Sequence, residues 1–341
     1  MRDPIPRARR RRLPVLLMMP LVIFGFAFFG LSYLVSPEPD VEVQAGVGVA
    51  AVDGRELVLV PYSRHGARGM FQLMARDMFQ VRLAAADLAT GEVVWDVQLS
   101  DELIWEASVL AAGQRYAYLA TDSGLVVVDL RSGSEVAAGN SVTGLGGKYI
   151  AGRAAYGYDV DSHSVVTMNA DGAILTIALD STTASPADPR IAARWTGVLA
   201  TDRFPTGSGA TATKVALASG DRVELRDRAV GKSLVRVADG QETPIGDTVF
   251  QRAALVVGGT TPDHVLVQHN RTVNYTDMVL SVVDLRTGAI TGVLPIRSSP
   301  NRTVTAPNGT TAVVTHDEVA AVTTAGRITA LSIGITNFFG I

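Results

Sequence analysis

Arg64-His65-Gly66-Ala67-Arg68 sets an imidazole between two guanidiniums shortly after an apolar run, Leu57–Val60. These residue types can engage an anionic group: histidine as nucleophile or proton carrier, arginine as a clamp on oxyanions. A second pair, His316-Asp317, closes another apolar run at 313–315. The same residues around His65 also read as a basic loop that opens an insertion and offers a contact surface.

Other groupings are weaker. Asp159-Val160-Asp161-Ser162-His163 gathers two carboxylates and an imidazole, but it lacks the Gly and the distal Glu of an EF-type calcium loop and equally reads as a polar turn. His264 and His269 stand five apart without the H-E-x-x-H pattern of a zinc helix. Gly144-Leu145-Gly146-Gly147-Lys148 lacks P-loop spacing, and no G-x-S-x-G is present. The chain has no Cys, which removes disulfides, thiolate metal sites, iron–sulfur clusters and cysteine nucleophiles together. No cofactor and no metal are expected.

Charge narrows the partners. Residues 1–12 carry six Arg against Asp3, while the remainder holds 24 basic and 32 acidic residues. Phosphate contacts need clustered Lys and Arg, so nucleic acid is excluded as a partner of the body. Basic residues divide into 27 Arg and 3 Lys, a bias of GC-rich bacterial genomes.

The elements that position these residues come in two kinds. Leu13–Val35 contains no charge in 23 residues, and a helix of that length spans about 35 Å against a hydrocarbon core of about 30 Å. The preceding Arg cluster should stay cytoplasmic and everything after Val35 should lie outside. The rival is a cleaved signal peptide, whose apolar region is usually shorter; Pro37 after Ser36 makes a poor cleavage position. Pro37-Glu38-Pro39-Asp40 then reads as a stiff linker. The expected layout is a basic tail over 1–12, a transmembrane helix over 13–35, a linker over 36–45 and one folded body over 46–341.

The body reads as many short strands with tight turns, except that Arg68–Leu88, with Met70, Met74 and Met78, suits a helical insertion. Strand–turn–strand units centre on Gly124, Gly172, Gly220 and Gly326, at spacings of 48, 48 and 106. A second turn recurs at Asp87-Leu-Ala-Thr90-Gly91, Asp129-Leu-Arg-Ser-Gly133 and Asp284-Leu-Arg-Thr-Gly288, where Asp caps the turn and Gly supplies positive φ. Periods of 40–50 residues with about four strands each indicate an all-β β-propeller, with seven blades as the central expectation and six to eight as the range. Residues 326–335 and 47–60 are expected to share a blade and close the ring. Trp95, Trp105 and Trp195 are expected between blades, with Trp105 partly exposed. The N-x-T sequons at Asn270, Asn274, Asn301 and Asn308 read as Thr-rich strands and turns.

The segment Ala85-Ala86-Asp87-Leu88-Ala89-Thr90-Gly91-Glu92-Val93-Val94-Trp95 resembles the A-x-D-x-x-T-G-x-x-x-W docking motif of quinoprotein-dehydrogenase-like (PQQ-like repeat) propellers. The resemblance implies that Trp95 stacks between blades and that Thr90-Gly91 makes the turn. The copies at Asp129 and Asp284 carry Ala137 and Gly292 where Trp belongs. The Arg-rich anchor ahead of such repeats is similar to bacterial membrane-anchored propellers of a non-catalytic type. Quinoprotein enzymes of this fold need an adjacent-cysteine disulfide and a calcium site, which the sequence does not offer. R-H-G-x-R also resembles the nucleophile signature of histidine acid phosphatases, implying His65 as phosphoryl acceptor, Arg64 and Arg68 on its oxygens, and His316-Asp317 as the late pair. Gly69-Met70 departs from the Pro of that pattern, and the β repeats depart from its helical fold.

The function expected is a protein-interaction scaffold at a bacterial cytoplasmic membrane, with envelope proteins as partners and no chemistry of its own; a phosphohydrolase or degenerate quinoprotein is the alternative. The expected partner surface is the insertion 62–80, through Arg64, Arg68, Met70, Phe71, Met74 and Met78.

Overall fold

A computed structural model describes residues 12–99, 105–199, 210–273 and 276–340, with side chains from Met18 onward. The Arg residues at 2–11 and the sequon Asn274 lie outside the described residues. The chain divides into two compact units. One combines Met1–Asp40, Arg64–Gln80 and Gly334–Ile341; the other combines Val41–Ser63 and Val81–Ile333.

The larger unit is built from antiparallel meanders. The first sheet holds β1 (Asp40–Val43), β2 (Gly48–Val52), β3 (Arg55–His65), β4 (Phe79–Asp87) and β5 (Val93–Gln98), with β1 and β2 both beside β3. The second runs β6 (Ala107–Ala112), β7 (Tyr116–Thr121), β8 (Gly124–Asp129), β9 (Glu135–Ala138). The third runs β10 (Tyr156–Asp159), β11 (Ser164–Met168), β12 (Ile174–Ala178), β13 (Ala184–Pro186). Next come β14 (Thr211–Ala212), β15 (Lys214–Ala216), β16 (Arg222–Arg228), β17 (Gly231–Ala238), β18 (Gln241–Val256), β19 (His264–Asn270), β20 (Met278–Asp284) and β21 (Ile290–Ile296). These fuse two meanders, because β18 pairs β17 through its first part and β19 through its last. The last sheet runs β22 (Arg302–Thr305), β23 (Thr311–Val314), β24 (Val319–Val322), β25 (Ile328–Ala330). The described residues thus form six blades, within the expected range and one short of its centre.

The core lies between blades. Tyr118, Val127, Val165 and Ile177 join the second and third. Leu234, Phe250, Val265 and Val283 join the two fused meanders. Leu266, Leu280, Val313 and Val322 join the fifth and sixth. Val58, Val60 and Ala86 meet Val314, Val319 and Ala321, so the last sheet packs on the first. Residues 326–335 and 47–60 therefore do not share a blade; they belong to adjacent sheets. Each fully buried Val or Leu contributes about 1.5–3 kcal/mol. An inner strand sandwiched between two neighbours has no solvent face, which is why β7 and β4 read as near-continuous small and apolar runs. Outer strands keep the alternation, as β21 does.

Three expectations change. The insertion is helical only over α2 (Gly69–Ala75), following α1 (Arg12–Val35), and Phe79–Asp87 is a strand whose buried residues pair in the sheet. Trp195 sits on α3 (Pro189–Trp195) and packs over Gly157 of the third sheet rather than between blades. Gly124 and Gly172 both turn between second and third strands, but Gly220 turns between β15 and β16 and Gly326 between β24 and β25, so only the first spacing of 48 is a blade repeat.

Candidate functional site

The smaller unit brings three distant segments together. α1 carries no charged residue over Met18–Val35 and is the one helix among the described residues long and apolar enough to cross a membrane. α2 has seven residues, too few to hold a helix unaided. It is held by its neighbours. Gly69, at φ +79°, lets α2 approach so closely that a Cβ there would lie 2.7 Å from the Tyr33 backbone. The Met70 amide donates to Ser32 Oγ at 3.0 Å.

Gln72, 2% exposed, links all of this to the C-terminal tail. Its Oε1 accepts from the Arg68 amide at 2.9 Å, and its Nε2 donates to Asn337 O at 2.7 Å and Thr336 Oγ1 at 3.3 Å. The Tyr33 hydroxyl donates to Thr336 O at 2.9 Å. Phe71 lies among Phe29, Phe338 and Phe339, with ring centroids 6.2, 5.2 and 5.6 Å away. Such pairs each add about 0.5–1.5 kcal/mol beyond burial. A cavity of about 760 Å³ opens along this unit. One wall is a face of α1 from Val22 to Leu34; the other is Phe71, Met74, Ala75 and Phe338.

The expected site residues separate. Arg64 is 4% exposed and donates to Gln80 Oε1 at 2.6 Å and Gly340 O at 3.4 Å. Arg68 pairs with Glu38, donates to Tyr33 O at 3.3 Å and lies 4.4 Å over the Tyr33 ring. The His65 ring lies 4.9 Å from Phe79. Both guanidiniums are thus engaged inside the protein. His316 and Asp317 belong to the larger unit, where His316 Nδ1 lies 3.8 Å from Glu42 and Asp317 accepts from Ser298 Oγ at 2.6 Å. Of the expected partner surface, Met70 and Phe71 are partly buried, while Met74 and Met78 are 73% and 51% exposed. Leu73, 46% exposed, joins them. Gln72, Tyr33 and the tail phenylalanines were not singled out by sequence reasoning; Phe338-Phe339 was the available signal, as an aromatic pair at the end of a sparse tail.

In the larger unit the Asp turns repeat one geometry. Asp87, Asp129 and Asp284 each accept from two amides of the following residues, at 2.7–3.1 Å. Gly91, Gly133 and Gly288 follow at φ 79°, 72° and 72°. Trp95 donates to Leu130 O at 2.8 Å and its ring covers Gly133 of the next blade. Gly91 meets Ala330 and Leu331, and Gly288 meets Gly246, in the corresponding places. Where Gly292 replaces Trp, the Gly326 turn approaches its backbone directly.

Asp159 and Asp161 both pair with Arg194, and Asp159 accepts from Trp195 Nε1 at 3.2 Å. Burial works to raise the Asp159 carboxyl, but Trp195 and Arg194 hold it below its ordinary value. Among the described residues no group of three or more His, Cys, Asp or Glu is placed to hold a metal ion. Buried Arg82 donates to Asp96 Oδ1 at 2.8 Å, and Tyr62 donates to Asp96 Oδ2 at 2.5 Å. Burial disfavours the Arg82 charge, yet Asp96 and Tyr62 raise its pKa.

No protein-family profile and no curated protein matches the sequence. Among solved structures, the chain is similar over 86% of its length to the dihydro-heme d1 dehydrogenase NirN in complex with DHE, at 13% identity and a TM-score of 0.28, spanning 57% of that chain. It is similar over 83% of its length to BamB from Moraxella catarrhalis, at 13% identity and TM-score 0.21, covering 83% of that chain. The WD40 domain of Toxoplasma gondii coronin matches over 87%, at 10% identity and TM-score 0.27, with 76% of that chain covered. These neighbours are propellers. The fold assignment rests on the blades themselves.

Proposed function

We propose that the chain is a single-pass, membrane-anchored β-propeller of the PQQ-like type, held outside the cytoplasm of a bacterial cell as a platform for envelope proteins, with no chemistry of its own. One observation carries the anchoring. Ser32 and Tyr33 at the end of the apolar helix hold α2 and the tail through hydrogen bonds, which supports a retained helix. Cleavage between 30 and 32 would remove Phe29 from the aromatic cluster. A signal peptide is removed from the mature protein and leaves no such contacts behind.

The platform reading is supported by rigidity. Blades docked through turns whose glycines are buried present loops that vary without disturbing the core. The partner contact is assigned to exposed Leu73 and Met78, which do not line the cavity. With a photo-crosslinking residue at Met78, full-length protein in native membranes should give one discrete protein adduct. Leu73→Asp should lower its yield about tenfold, a change of ~1.4 kcal/mol, with membrane retention unchanged. An undiminished adduct, or none, contradicts the assignment.

A further inference from the structure

The cavity of the smaller unit has the shape and chemistry of a lipid site, and we propose that it holds one acyl chain of a bilayer phospholipid whose phosphate meets Arg76. The proposal rests on the anchored reading above. No charged side chain lines the cavity. Its volume of about 760 Å³ falls in the range of about 300–1,000 Å³ typical of ligand sites. Two glycines keep the α1 wall open: a Cβ at Gly25 or Gly30 would meet nothing within 4 Å.

Length and charge select the occupant. From Val22 to Leu34 the wall rises about 18 Å, close to the roughly 15 Å of one hydrocarbon leaflet. Water in so apolar a groove would find almost no hydrogen-bonding partners, and an acyl chain needs none. The rim supplies the opposite character. Arg76 follows Ala75 of the cavity wall, is exposed, and donates from Nε to Phe339 O at 3.1 Å. An uncharged slot with an exposed guanidinium next in sequence to its wall complements an amphiphile with an anionic head, because guanidinium binds phosphate strongly.

The test uses full-length protein in phosphatidylcholine nanodiscs containing a minor fraction of phosphatidylglycerol with a diazirine in one acyl chain. After irradiation, adducts are mapped by peptide mass spectrometry. Adducts are expected on α2 and on residues 334–340 as well as on α1. Gly30→Leu, which fills the groove, should lower the α2 and tail adducts about tenfold while those on α1 persist. Unchanged hydrogen exchange over 69–75 in that variant shows that the unit is still assembled. Arg76→Gln should lower the same adducts several-fold. Adducts confined to α1, or an α2 yield indifferent to Gly30→Leu, overturn the site. A crosslink from α2 to the α1 of a second copy overturns it too, replacing lipid by a dimer. A chain that fails to enter the nanodisc and gives no α1 adduct overturns the anchored reading along with it.

Discussion

At the scale of single residues, the blades are fastened by a carboxylate, a glycine and whatever the preceding blade lays over them. Gly133 lies against a ring: at φ +72°, a Cβ would lie 2.6 Å from the Trp95 side chain. Gly133→Val should therefore cost roughly 2–4 kcal/mol by denaturant unfolding, from left-handed strain plus overpacking. In a Trp95→Ala background the cost should shrink, since the clash has gone; an additive double variant would refute the docking geometry. This turn was legible in the sequence, because Asp and Gly at fixed spacing have a local backbone reason. Asp180 was not. Its carboxylate accepts from the amides of Gln114, Arg115 and Tyr116 at 2.9, 2.7 and 3.1 Å, capping a turn in another blade some 65 residues away. Burial works to raise its pKa, and those amides lower it on balance. A carboxyl with a folded-state value below its unfolded one stabilises the fold above about pH 4 and loses that contribution as pH falls through the folded value. Asp180→Asn should be less stable than the parent at pH 7, and the gap should close as pH falls through the lowered value of the Asp180 carboxyl in acid titrations followed by circular dichroism. A gap independent of pH contradicts the capping role.

At the scale of elements, legibility followed sequence separation. The apolar helix and the tight hairpins around Gly124 and Gly172 were readable because their causes are local. α2 was only partly so: what makes it a helix is Gln72 and Phe71 gripping a tail more than 260 residues away. The long strand β18 was invisible, because one continuous strand serves two blades and its Pro244-Ile245-Gly246-Asp247 reads as a turn rather than as mid-strand. The second spacing of 48 misled, since equal distances joined turns at different places in their blades. The tail's role yields a prediction. Phe338→Ala removes ring contacts with Tyr33 and Phe71. Amide exchange over 69–75 should accelerate about thirtyfold, equivalent to ~2 kcal/mol, while the blades exchange as before. Uniform acceleration, or none, means α2 does not depend on the tail.

At the scale of the whole molecule, the larger unit closes first sheet on last through Val58, Val60, Val314 and Val319, so both ends of the repeat region share one core. The smaller unit likewise gathers the helix, the insertion and the tail. The tail closure ties sequence ends that no local pattern announces, which is why the tail contact was beyond sequence reasoning while strand content, the range of blade number and the apolar helix were not. We propose that this apolar helix is retained and carries the propeller outside the cytoplasm. Because the chain has no Cys, single cysteines report topology without background. The direct measurement is labelling of Arg9→Cys and Glu135→Cys by a membrane-impermeant maleimide in spheroplasts of a bacterial host, with the intact mass of the extracted protein. A retained, outward-facing anchor gives labelling at position 135 in intact spheroplasts, labelling at position 9 only after permeabilisation, and a mass that includes the helix. A mass lacking the first 30 or so residues, as signal-peptide removal gives, or labelling at position 135 only after permeabilisation, would contradict it.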